Sequence, residues 1–260
     1  MAHAAHGGPL EDLADILKSQ GKNAEVVSVL REYLGLLESF DAVAWPVQDD
    51  RMHSLGLHQD RPRHLARVAV SLAEAISRVD DPSWPEVEAN MRRAMSTFSD
   101  DPSMVQGWEG QFELSDYHSL LARALEEQSK FAEGEGERRK ARSLLHAASQ
   151  HTQVHPSHIL WKSCSLAEVL LEQRKFREAE VLAREVANEC PEDCQDVWLE
   201  AIEHLVASLR GLDRGAEADE WEAQLNKESG DEGDELMQKD DVRHDVEDDN
   251  EGPPRKRQAT

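Results

Sequence analysis

The chain has 260 residues, 39% of them apolar, which is enough to bury a sizeable core, and its 53 acidic against 29 basic residues set a formal charge of -24. That charge opposes the phosphate neutralisation on which nucleic-acid affinity rests, so direct DNA or RNA binding is not expected and basic protein partners are favoured. No run reaches the ~18 apolar residues of a membrane span. The start lacks a signal-peptide pattern, and the sparse cysteines Cys164, Cys190 and Cys194, with no Asn-x-Ser/Thr sequon, point to reduced thiols in nucleus and/or cytoplasm.

In chain order, residues 1–8 read as a flexible start and residues 9–227 as one helical body. The segment "LADILKSQGKNAEVVSVLREYL" spaces its apolar residues for two helices around Gly21 and Lys22. Residues 64–102 hold a heavily altered second pair, marked by Ala73, Ala89 and Pro102, with "DDPSWP" widening its turn. From Ile159 the residues Ser163, Leu166, Ala167, Leu170 and Leu171 follow one helical face. Phe176, Ala179, Leu182, Ala183 and Val186 give the next helix, and Val197, Ala201, Leu205, Leu209 and Leu212 a third. Polar runs as short as "EQRK" between such helices require antiparallel hairpins. Strand-like alternation is nowhere sustained, so the fold class is all-α.

One phrase is written twice. "EQSKFAEGE" from Glu127 and "EQRKFREAE" from Glu172 lie 45 residues apart and agree at six of nine positions, as expected of stacked units. Small residues where two helices cross let the axes approach, and neighbouring large residues fill the grooves. The segment "LAEVLLEQRKFREAEVLAREVANECP" resembles a tetratricopeptide repeat (TPR): Ala167 and Ala179 stand at the small crossing positions, Phe176 at the turn aromatic, Leu166 and Leu170 at packing positions and Pro191 at the terminal proline. In the preceding copy Ala122, Phe131 and Gly134 match, while Arg138 stands where a packing residue is usual. In the first copy Ala14, Leu17, Gly21 and Lys22 match, but Asn23 replaces the aromatic and Val26 the small residue. The last copy, "LVASLRGLDRGAEADEW", keeps Leu209 and Ala218.

The long spacing and His155-Pro156 are similar to the longer repeats of kinesin light chains. The resemblance is clearest over 117–226 and degenerate over 9–110. It implies a right-handed superhelical array of antiparallel helical hairpins, a TPR-like α-solenoid, in which a hairpin needs neighbours to bury its second face. The charges of the repeated phrase read as the solvated outside of a turn.

Two sets of residues carry candidate chemistry. His155 and His158 with Cys190 and Cys194 have spacing that zinc accepts; the same residues also answer to a helix start after His155-Pro156 and to a helix end before a new start capped by Asp193. No nucleotide-binding loop, His-Glu-x-x-His or Gly-x-Ser-x-Gly occurs, so neither an enzyme nor a cofactor is expected. In relatives that clamp the terminal carboxylate of heat-shock chaperones, lysines and asparagines line the first helices. The matching positions here are Glu11 and Asp15, and Cys164, Ser165 and Glu168, so that clamp is absent and no such binding is expected.

Residues 228–251 carry twelve acidic residues against Lys239 and Arg243, and read as a disordered acidic tail within 228–260. Ser229, followed by acidic residues, suits an acid-directed kinase or is an ordinary linker serine. Arg255, Lys256 and Arg257 after Pro253-Pro254 read either as a nuclear import signal or as a solubilising terminus. Together these features point to a non-catalytic adaptor or scaffold, a subunit or assembly factor of a larger complex. The alternative is an acidic escort for a basic nuclear or ribosomal cargo.

Overall fold

Each helix packs chiefly on its neighbour in sequence. The computed structural model describes residues 9–39, 61–100, 107–150, 154–191 and 194–237, and among them there are ten helices and no strand. They are α1 (Pro9–Ser19), α2 (Asn23–Ser39), α3 (Arg61–Ile76), α4 (Trp84–Asp100), α5 (Gly107–Glu126), α6 (Phe131–Ser149), α7 (Pro156–Glu172), α8 (Phe176–Glu189), α9 (Gln195–Gly211) and α10 (Gly215–Met237). Consecutive helices pair as five hairpins, and first helices of adjacent hairpins also touch, α7 on α9. The last helix runs to Met237, into the segment read as tail; 238–260, with Arg255, Lys256 and Arg257, lies outside the described residues.

Four of the five hairpins close with the same turn. The amides of Lys22, Lys130, Lys175 and Arg214 donate to the carbonyls of Leu17, Leu125, Leu170 and Leu209, five residues back, at 3.0, 2.8, 2.8 and 2.9 Å. That closure needs a left-handed residue just before the donor. Gly21 takes it with φ 71°, while Ser129, Arg174 and Asp213 take it at φ 59°, 57° and 58° despite their side chains. The helix that follows therefore starts in a fixed register, and its fourth residue faces the first helix: Val26, Gly134, Ala179 and Ala218.

The α3–α4 hairpin has a wider turn but obeys the same register. Its second helix starts at Trp84, so Val87, fully buried, faces α3, and Ala89 is exposed rather than at the crossing. Trp84 takes the place that Phe131 and Phe176 hold elsewhere, with the Arg123 guanidinium 5.2 Å from its ring centre. On the first helices Ala14, Ala73, Ala122 and Ala167 are buried at 4%, 0%, 0% and 0% exposure, which marks one level through the stack.

Two glycines set close approaches. A Cβ on Gly134 would lie 2.9 Å from Glu126 Cγ and 3.3 Å from the Ala122 carbonyl oxygen. The space a side chain would fill is taken by an ion pair: Arg138 donates to both Glu126 carboxylate oxygens, at 2.9 and 2.7 Å. Arg138 thus packs as a neutralised bidentate pair where the repeat pattern usually has an apolar or small residue. Gly211, ending α9, is pressed against the ring of Phe176 from the previous hairpin, with Cδ1 2.5 Å from a would-be Cβ.

Some charges of the repeated phrase stand in solvent, as Glu127, Glu172, Arg174 and Arg177 do, but others join successive hairpins. Glu135, the last residue of the first phrase, is 8% exposed, and it accepts from Gln173 Nε2 at 2.7 Å and Lys175 Nζ at 2.5 Å in the second phrase. One hairpin earlier, Glu88 at 7% exposure accepts from Gln128 Nε2 and Lys130 Nζ, both at 2.8 Å. One hairpin later, Arg214 reaches Glu180 at 2.6 Å. Arg92, Arg139 and Arg184, one turn further along each helix, pair with the same three glutamates.

These arginines also pair outward, with Glu133, Glu178 and Glu217 of the next hairpin, and Arg31 pairs likewise with Glu86. The outward pairs are partly exposed, so solvent screening leaves each of them contributing little. The near-buried glutamates matter more, because an unpartnered buried carboxylate costs far more.

Helix boundaries follow local chemistry. Pro156 opens α7, and His155 caps it, its Nδ1 accepting from the Ser157 amide at 3.4 Å. At α9 the capping position is Cys194, which makes no side-chain cap bond; Asp193, read as the cap, lies outside the described residues.

Gly134→Ala and Gly211→Ala should each lower stability by about 1–3 kcal/mol in urea unfolding, through overpacking. Gly136→Ala, on the same helix as Gly134 but facing open space, should raise it by up to ~1 kcal/mol. Equal effects at all three positions would contradict the close approaches.

Candidate interaction face

The side chains available to a partner are those the first helices leave uncovered. Counting from the crossing residues Ala122, Ala167 and Val206 places equivalent positions side by side. Six residues before them stand Asp116, Trp161 and Glu200, and one residue after them stand Arg123, Glu168 and Ala207. Trp161 and Glu168 are seven residues apart, so both project from one side of α7. Trp161 is 48% exposed, unusual for so large an apolar ring, and Glu168 is exposed. Lys162 anchors the neighbouring edge, donating to Asp116 Oδ1 and Ser119 Oγ, each at 2.8 Å.

Acidic groups crowd the α7–α9 part of this face. The Glu200 carboxyl is pushed above the usual range, first by partial burial and then by the charges of Glu168 and Glu203, with Arg138 only partly opposing them. Burial pushes the imidazole of its neighbour His204 below its usual range, and its Nδ1 is enclosed with no hydrogen-bond partner in the described structure. The excess negative charge of Glu168, Glu200 and Glu203 makes a surface that gains from an incoming cation.

The other expected groove residues lie elsewhere. Glu11 and Asp15, on α1, line a cavity of about 130 Å³ between α1, α2 and α3, shared with Arg67 and Arg78. Glu11 is already engaged there: its carboxylate is 3.6 Å from His64 Nε2, which is 2.5 Å from the Tyr33 hydroxyl. Burial, and then the Glu11 charge, push that hydroxyl up to about 12. Two hairpins separate this cluster from Glu168, so the structure does not bring the three acids together.

Cys164 and Ser165 are not on the face at all. Both are buried, and the Cys164 thiol donates to the Val197 carbonyl at 3.6 Å across the α7–α9 contact, where burial pushes it up to about 12.

Among the described residues no cluster of three or more His, Cys, Asp or Glu is arranged to hold a metal. His155 serves as a cap, His158 meets Phe112 edge to face at 5.4 Å, and the Cys190 thiol donates to the Cys194 carbonyl at 3.1 Å. No helix among the described residues is long and apolar enough to cross a membrane. Trp161, Glu200 and Glu203 were not singled out from the sequence. The signal that finds them is the helix register, once Val206 is aligned with Ala122 and Ala167.

The hairpins, shared turns and crossing residues define a TPR-like helical-repeat fold. No protein-family model matches the sequence, and neither does any curated protein. Solved structures do match in fold. BtubC (BKLC) from P. vanneervenii aligns with a TM-score of 0.61 at 15% identity, over 96% of this chain and 84% of that one. A Podosopora anserina protein assigned as a kinesin light chain, with nearly identical TPR-like repeats, gives 0.57 at 16% identity, over 87% and 96% of the two chains. A point variant of that protein gives 0.56 at 17%, over 84% and 92%. At these identities the likeness is one of fold alone.

If Glu168 crowds Glu200 as described, Glu168→Gln should bring the Glu200 carboxyl back down toward the ordinary range in a carbon-detected NMR titration. An unmoved Glu200 would contradict that proximity.

Proposed function

We propose that the chain is a non-catalytic protein-interaction scaffold whose first-helix face receives a basic segment of a partner protein. The observation that carries this is the crowding of Glu168, Glu200 and Glu203, which leaves Glu200 under repulsion that a lysine or arginine relieves. Trp161 stands exposed on the same side of α7 as Glu168, able to stack on a guanidinium or cover an aliphatic stem. A TPR-like array supports the scaffold part of the reading, because stacked hairpins offer an extended surface for extended peptides.

Within this reading, an acidic escort for a basic nuclear or ribosomal cargo is the narrower form. It is favoured by the charge of -17 on residues 1–227 together with the acidic run 228–251. The Arg255, Lys256 and Arg257 cluster supports entry to the nucleus on sequence grounds alone. The same acidic face disfavours the carboxylate-ended peptides of the heat-shock chaperones.

Titration calorimetry with a lysine- and arginine-rich peptide should show binding that weakens steeply as salt rises. The combined Glu168→Gln, Glu200→Gln and Glu203→Gln variant should lose about tenfold in affinity, at roughly 0.5 kcal/mol for each charge removed. Binding indifferent to both salt and this variant would sink the proposal.

A further inference from the structure

The two ends of the array differ in chemistry. An α-helix turns about 100° per residue, so residues seven apart point the same way. On α1, Glu11 and Lys18 reach toward the second hairpin, pairing with His64 and Glu74. Leu13 and Ile16 leave α1 from the opposite side, 41% and 54% exposed. On α2, Arg31 and Glu38 reach the second hairpin through Glu86 and Arg93. Leu36 again leaves from the far side, at 44% exposure. Three of the six large exposed hydrophobic side chains among the described residues therefore sit on the outer face of the first hairpin.

The same construction at the other end gives a polar face. On α10, Glu217 reaches back to Arg184, and the opposite side carries Asp219, Ala223 and Asn226. On α9 the outward side carries Glu203 and Arg210, both exposed. Helical arrays need polar outer faces on their terminal units to stay apart. The last hairpin has one, whereas on the first Leu13, Ile16 and Leu36 stand exposed among the polar Gln20, Glu25 and Glu32.

We propose that the outer face of α1 and α2 is an interface with a second copy of this chain. The face continues the interface that already stacks one hairpin on the next, since it is the back of the helix pair whose front packs on α3 and pairs with α4 through Arg31 and Glu38. An apolar face at only one end selects the closed arrangement. The first hairpin of one copy meets the first hairpin of the other about a two-fold axis, whereas head-to-tail growth would set Leu13, Ile16 and Leu36 against the polar α9–α10 end. Asp12, exposed beside the stripe, brings like charges near each other across the axis, so salt should strengthen this contact while it weakens the binding of a basic peptide.

Sedimentation velocity on the full chain, from low to high micromolar concentration, should show monomer passing to dimer with no larger species, shifted toward dimer by added salt. Ile16→Glu with Leu36→Glu should leave a monomer at every concentration with an unchanged circular dichroism spectrum, and Leu13→Lys alone should weaken the dimer at least tenfold. A wild-type chain that stays monomeric would overturn the proposal, because something else then covers the face. Assemblies that keep growing with concentration, or a dimer that survives all three substitutions, would overturn it as well.

Discussion

A carboxylate taken nearly out of water must be met by several donors, and that requirement ties this array together. Glu88 and Glu135 stand on the second helix of one hairpin and are met by the glutamine and lysine at the next hairpin's turn. Burial pushes the Glu135 carboxyl up, but the hydrogen bonds from Lys175 and Gln173, with the charge of Arg139, outweigh it and hold the group below the usual range. Each glutamate can be satisfied only when the next turn arrives at the right place. The clamp therefore fixes how far one hairpin is displaced and rotated from the last. The fixed turn beneath it, closed by a left-handed residue, carries its lysine to that place.

The first junction is built differently. The clamp position on α2 is occupied by Val27, buried at 6%, which belongs to the large apolar core spanning α1 to α5. Toward the other end the apolar residues divide into three smaller clusters, and ion pairs bridge them. The array thus passes from a mainly apolar to a more ionic mode of stacking. This division leaves the acidic α7–α9 face at one end and the apolar outer face of α1 and α2 at the other.

The hairpins were legible in the sequence because their determinants are local: apolar periodicity, small residues, and an aromatic after a short polar turn. The clamps were not, because Glu135 and Lys175 are 40 residues apart, and a glutamate on an acidic helix looks like any other solvated charge. The repetition of "EQxKF" was visible, yet its meaning lies between two copies rather than within one. Ala89 misled because its composition suits a crossing, while the register set by Trp84 puts Val87 there. Cys164 and Ser165 matched groove positions by alignment, but both are buried, Cys164 at the α7–α9 contact. The acidic face needed register and proximity together, since Glu168 and Glu200 belong to different hairpins.

The stacking of the hairpins depends on Glu135 acting as a shared ionised acceptor, and a double-mutant cycle tests this directly. With Glu135→Gln, Lys175→Met and the pair, urea unfolding at neutral pH should give a coupling of about 1–2 kcal/mol, as for a largely buried charge-assisted hydrogen bond. A carboxyl held low in the folded chain lends stability above its unfolded-state range and loses it as pH falls through the folded value. The coupling should accordingly fade on acidification. A coupling near zero at neutral pH, or one that persists once carboxylates are protonated, would contradict the shared-acceptor role.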